Sequence, residues 1–244
     1  MIRDVLAPIW LEIPETAKRV KQRIGTVLDF AQAKGWRDTE APMRSVTRGL
    51  AKQSTQQNHF AALPWQEVPS FVAGMSETLK TGETVRLALE FLILTAARSG
   101  EAREARWSEV DLKKKVWTIP AARMKAGRAH RVPLSNRAIE VLERMRELRR
   151  SDDPDAFIFE GQKPGRPFSD MTLSMPLRRT GLHFTVHGFR SSFRDWCAEA
   201  TDTPREVAEA CLAHKVKGVE AAYARTDHFE KRRAVMDAWS VFVR

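Results

Sequence analysis

Three short stretches of this chain carry side chains that could act together on an anionic group. The first, TAARSGE (residues 95–101), sets Arg98 just after an apolar run, with Glu101 three positions on. At that spacing an arginine and an acid meet on one helical face, ordinarily as a structural salt bridge. The second, HGFR (187–190), places His187 and Arg190 at i and i+3, so both could address one ligand. The third is CLAH (211–214), ending at His214 and followed nine positions later by Tyr223, the only tyrosine present. A tyrosine on a short helix is ordinarily a core residue with its hydroxyl tethered, yet a phenol can also serve as a nucleophile. The charge balance favours an anionic target. Lys and Arg number 41 against 31 Asp and Glu, a formal net charge of +10. Such a surplus points to a polyanionic partner, most often nucleic acid, with an unspecialised basic surface as the plainer reading.

The elements that must position these groups are partly legible. Pro14 can open a helix, and Val20, Ile24, Val27, Leu28 and Ala31 follow at helical spacing until Gly35. The polar run KQSTQQNH (52–59) has linker composition. The expected organisation is a partial helical domain over 1–52, a linker over 53–63 and a main domain over 64–244. Residues 83–97 are apolar nearly all round, which predicts a buried central helix. VWTI (116–119) and HRVPL (130–134) read as strands joined through Gly127, with Lys125 near the tip. Residues 136–150 return to helical spacing through Ile139, Leu142, Met145 and Leu148, with an arginine-rich outer face that reads as solvated surface. Residues 170–242 read as mostly short helices. The fold class is mainly α with a small antiparallel β element.

Composition also excludes alternatives. Cys197 and Cys211 are too few and too far apart for a disulfide framework and fit core positions in a reducing cytoplasm. No run approaches the ~18 apolar residues of a membrane span, and the N-terminus lacks a secretory apolar stretch. His183 and His187 have the spacing of a zinc pair on a helix, but no third ligand is evident.

In this order and spacing, the stretches RSGEAREARWSEVD (98–111), RMKAGRAHRVPLS (123–135), HGFRSSFR (187–194), CLAH (211–214) and YAR (223–225) resemble the tyrosine recombinase family. The likeness is strongest to its phage and genomic-island integrase branch. It covers the chain from about Leu63, and more loosely 5–36, which looks like the later part of a core-DNA-binding domain. The resemblance implies a chain that starts partway through that domain and lacks an arm-site-binding domain. One position departs from the pattern: Ala213 stands where the family has glycine, a mild change if only backbone closeness is at stake.

The resemblance implies a site-specific recombinase that cleaves and rejoins DNA through a 3′-phosphotyrosine link. Arg98 and Arg190 become phosphate-clamping arginines, Lys125 the hairpin lysine, His187 and His214 the active-site histidines, Tyr223 the nucleophile, and Glu101 the acid behind Arg98. The chemistry is coherent. Two guanidiniums can meet the charge that develops on the phosphate with bidentate donors. Lys125 can protonate the departing 5′ oxygen. The covalent link conserves bond energy, so neither ATP nor a metal or other cofactor is implied, and no Gly-x-x-x-x-Gly-Lys-Ser/Thr loop occurs. The implied partner is double-stranded DNA, held by a homotetramer, with a free monomer allowed and accessory DNA-bending proteins compatible. A type IB topoisomerase-like enzyme uses much the same residues, and a non-catalytic DNA-binding remnant is the reading from another class.

Overall fold

The computed structural model describes residues 1–53, 61–214 and 226–244. The chain divides into two compact units, Met1–His59 and Phe60–Arg244.

The first unit contains α1 (Ile2–Trp10), α2 (Pro14–Ala33) and α3 (Met43–Arg48). Proline occupies the first turn of α2, where its missing N–H costs nothing. The unit's small core holds Leu6, Trp10 and Ala17, with Val20, Val46 and Leu50 packed against it. Trp10 is fixed through its indole N–H, which donates to Ala51 O at 2.7 Å. The apolar stripe expected on α2 is only partly used: Val27 is 65% exposed. A 20-residue helix outruns so small a core, so its later turns find few partners within the unit.

The second unit is built round α6 (Glu83–Thr95), whose Leu89, Phe91, Leu92, Ile93 and Leu94 are buried. Burying side chains of this size contributes roughly 1.5–3 kcal/mol each. Before α6 come α4 (Val68–Ala73) and α5 (Met75–Thr78), and after it α7 (Ser99–Arg103). The sheet is antiparallel, ordered β1 (Val110–Asp111), β2 (Val116–Ile119), β3 (His130–Pro133). Its register sets Trp117 opposite Val132 and Ile119 opposite His130. Trp117 and Ile119 point inward while Thr118 faces out, the two-residue alternation of a half-buried strand. β1 was not foreseen, because two residues carry no periodicity. The following helices are α8 (Asn136–Glu147), α9 (Ser174–Arg179), α10 (Gly188–Ala200), α11 (Arg205–Cys211) and α12 (Phe229–Val243).

Two of these exceed the short lengths expected of the region. α10 and α12 are held together by an aromatic cluster in which the Trp196 and Trp239 rings lie 5.1 Å apart and Phe193 and Phe242 complete the contact. Trp239 also donates its indole N–H to Ile93 O on α6 at 2.9 Å, so α12 docks on the core of its own chain. Two arginines of α8 serve a local purpose. Arg137 pairs with Glu90 at 2.5 Å and Arg144 with Glu83 at 2.7 Å, tying α8 to α6. Residues 54–60 of the expected linker lie outside the described residues. Its last part is built into the second unit: Leu63 is buried, and Ala61 O accepts from Thr185 N at 2.9 Å.

Candidate active site

α6 ends on a left-handed residue, Ala96, with φ 48°. This reversal leaves the Ala96 carbonyl free of the helix ladder, and Arg190 on α10 donates Nη1 to it. α11 ends the same way at Ala213, with φ 49°. There Ala213 N bonds Ala210 O at 3.1 Å and His214 N bonds Glu209 O at 3.0 Å, the paired bonds of a Schellman turn. The carbonyls released by that turn point inward. Leu212 O accepts from Arg190 Nη2 at 2.6 Å, and Ala213 O lies 3.5 Å from Arg98 Nη2. Two helix ends thus supply the seats for two guanidiniums. An alanine in this conformation costs about 1–2 kcal/mol. The glycine expected at position 213 therefore answers a backbone angle, not merely close approach, and alanine there is strained.

Arg98 precedes α7. Glu101, only 5% exposed, accepts the Arg98 backbone N–H through Oε2 at 2.9 Å and Nη1 through Oε1 at 2.7 Å. One carboxylate therefore caps the helix and fixes the guanidinium. The β2–β3 connection is pinned to the same place: Arg123 donates to Glu101 O at 3.1 Å and pairs with Glu109 at 2.5 Å. Met124 is buried beneath the turn. Lys125 follows, exposed, and makes no hydrogen bond or ion pair among the described residues.

His187 stands at the N-cap of α10, and its carbonyl accepts from Arg190 N at 3.1 Å. Glycine is required next to it. A Cβ on Gly188 would sit 2.4 Å from Ala61 O, inside the backbone of the segment that α10 packs against. The His187 ring lies at the rim, yet local crowding by protein, followed by the charges of Arg190, Arg98 and His214, lowers its pKa below the usual imidazole value. Arg190 is 4% exposed, and burial first, Arg98 second, push it down to about 10, so it remains a cation at neutral pH. Its ring neighbour is His214, whose Nε2 lies 3.2 Å from Nη2. Among the described residues Arg190 is hydrogen-bonded only by carbonyls and this imidazole, never by a carboxylate. A buried cation seated on neutral acceptors keeps its charge for an incoming anion.

Direct contacts thus pair Arg98 with Glu101 and Arg190 with His214, the adjoining Leu212 and Ala213 carbonyls bring the two pairs together, and His187 shares their electrostatic field. Lys125 is on the adjoining hairpin turn. Tyr223 lies outside the described residues. Two residues here were not singled out from the sequence. His130, at the start of β3, bonds the Cys211 backbone, and burial, with the Arg232 charge next, pushes its pKa down to about 4. Glu209 touches His214, five positions downstream in sequence. His130 was hidden inside a strand pattern, and an acid five residues from a histidine fits no helical face. Cys197 and Cys211 are buried, as their core reading required. Among the described residues no group of three His, Cys, Asp or Glu side chains is arranged to hold a metal ion, and no helix is long and apolar enough to cross a membrane.

Comparison with known proteins decides the lineage. Residues 61–229, most of the chain, match the phage integrase family, and residues 1–47 match the phage integrase central domain. The chain belongs to the phage integrase family. Among its integrase relatives, the prophage integrase IntA of Escherichia coli (strain K12) is 36% identical over 234 residues, covering 94% of this chain and 55% of the relative. Prophage integrase IntZ of the same strain is 32% identical, covering 98% of this chain and 58% of the relative. The chain therefore spans somewhat over half the length of these integrases. A lambda integrase tetramer bound to a Holliday junction shares the fold, with TM-score 0.60 and 21% identity over 87% of this chain and 60% of that one.

Proposed function

We propose that this integrase-family chain is a site-specific DNA recombinase that cleaves and rejoins strands through a 3′-phosphotyrosine intermediate. The observation that carries the reading is Arg190, a nearly buried guanidinium with no carboxylate partner among the described residues: Leu212 O and His214 hold it, while the intervening Ala213 O faces Arg98. That arrangement costs stability unless it serves an anion, and a scissile phosphodiester is the anion that two convergent guanidiniums fit. Arg98 and Arg190 meet the charge that develops on the non-bridging oxygens. Tyr223 attacks phosphorus, and the bond to the 5′ oxygen breaks. Lys125, on its solvent-facing turn, delivers a proton to that leaving oxygen. His187 hydrogen-bonds the phosphate or assists proton movement, and His214 holds the phosphate beside the nucleophile. The chain's own arginines supply the charge neutralisation, so neither a metal nor ATP enters the scheme.

The partner is double-stranded DNA in the compartment that contains it. Two duplexes and four cleavages call for four protomers, the stoichiometry of the lambda integrase assembly that shares this fold. Accessory bending proteins are compatible with the scheme. The test uses a nicked suicide substrate, from which the cleaved 5′ end diffuses away. The parent chain should form a covalent protein–DNA adduct and Tyr223→Phe none. An adduct that persists in Tyr223→Phe would refute the assignment, and tight, salt-sensitive binding without adduct would indicate a non-catalytic binding protein.

A further inference from the structure

The carboxylate of Glu209 has no place in the scheme above, yet both its oxygens are engaged at the site. Its Oε2 lies 2.5 Å from His214 Nδ1, and its Oε1 accepts from Arg194 Nε at 2.8 Å. The Glu209 backbone carbonyl also takes the His214 N–H at 3.0 Å, so one residue grips His214 at main chain and ring together. The other ring nitrogen, Nε2, faces Arg190 Nη2 at 3.2 Å. A guanidinium can only donate, so Nε2 must accept there and the ring proton belongs on Nδ1, directed at Glu209. Arg194 lies one helical turn after Arg190 on α10. It gives the carboxylate a second partner that keeps it from turning away.

We propose that Glu209 is a positioning residue for strand cleavage, fixing the tautomer and orientation of His214 so that Nε2 addresses Arg190 and the phosphate site, with Arg194 holding the carboxylate in place. The inference rests on the recombinase reading for its catalytic consequence. Its physical logic is that of any histidine whose far nitrogen is bonded to a carboxylate: the near nitrogen is presented in one state and one direction. Burial acts to raise the Glu209 pKa, but hydrogen bonds from Arg194 and His214 outweigh it and leave the group below its ordinary value, so the carboxylate is ionised at neutral pH.

Ring-¹⁵N correlation spectra of the free protein, with His214 assigned through a His214→Asn variant, report the tautomer directly. The parent should show His214 protonated at Nδ1, Glu209→Gln should retain that signature because its amide oxygen can accept the same N–H, and Glu209→Ala should lose it. In single-turnover adduct formation, Glu209→Ala should fall at least about tenfold with DNA affinity little changed, and Glu209→Gln should recover most of the rate. A parent His214 protonated at Nε2 overturns the proposal whether or not the Glu209 variants fold. So does a Glu209→Ala protein that cleaves as fast as the parent. Failure of the recombinase reading looks different: the parent forms no adduct, or Tyr223→Phe still does.

Discussion

Acidification should destabilise this protein through His130, and the size of the effect follows from its surroundings. Burial chiefly, with the Arg232 charge next, holds the imidazole at about 4 against the opposing pull of Glu101 and the Cys211 backbone, with Arg190 a smaller contributor. Unfolding returns it to its ordinary value of 6.5. Between those two values the unfolded chain binds a proton that the native chain refuses, so stability rises with pH across the window. Above 6.5 both states are neutral and the penalty is absent; below about 4 it is fully present. A tenfold difference in proton affinity between the two states corresponds to about 1.4 kcal/mol, so moving from about pH 7.5 to about pH 5 should cost about 2 kcal/mol from this residue alone. His187 is displaced in the same direction. Glu83, Glu140, Glu209 and Asp227, all held below their ordinary values, add losses at lower pH. A His130→Gln variant keeps a side-chain amide near the Cys211 backbone but removes the titration. Urea denaturation at the two pH values should therefore show the parent losing about 2 kcal/mol more than His130→Gln. If both lose stability in parallel, His130 is not buried in the neutral form and the reasoning fails.

Other changes probe the guanidinium seats. Arg190→Lys should keep the charge but cannot reach Ala96 O, Leu212 O and His214 together. Its adduct formation should fall by about 100-fold or more, the cost of losing one preorganised donor of this type, in single-turnover cleavage of a suicide substrate. Ala213→Gly should preserve the Schellman turn while relieving the left-handed alanine. It should stabilise the chain by up to about 1 kcal/mol in urea denaturation, because the strain removed slightly exceeds glycine's entropic cost.

The anchoring of α12 bears on how protomers could meet. Trp239 buries its ring between α6 and α10, and Arg244 reaches Glu140 on α8 at 2.6 Å. The described C-terminal residues thus complete the core of their own chain.

By itself the sequence determined what local rules can express. Apolar residues all round 83–97 could only form a buried helix, and alternation flanking Gly127 could only form a hairpin. His187 and Arg190 shared a face because helical geometry brings i and i+3 together. The family was legible too, since an ordered set of short motifs around one tyrosine is a strong constraint. Tertiary structure decided what the reacting groups rest on. Alanine is a poor sign of a left-handed turn, so nothing local marked Ala96 and Ala213 as the residues that aim carbonyls at Arg190 and Arg98. The pairing of Glu209 with His214 spans a chain reversal that no periodic pattern encodes. The depressed titration of His130 comes first from burial and next from the charge of Arg232, 102 positions away in the chain. Burial and electrostatic fields are sums over neighbours in space, and only folding assigns those neighbours.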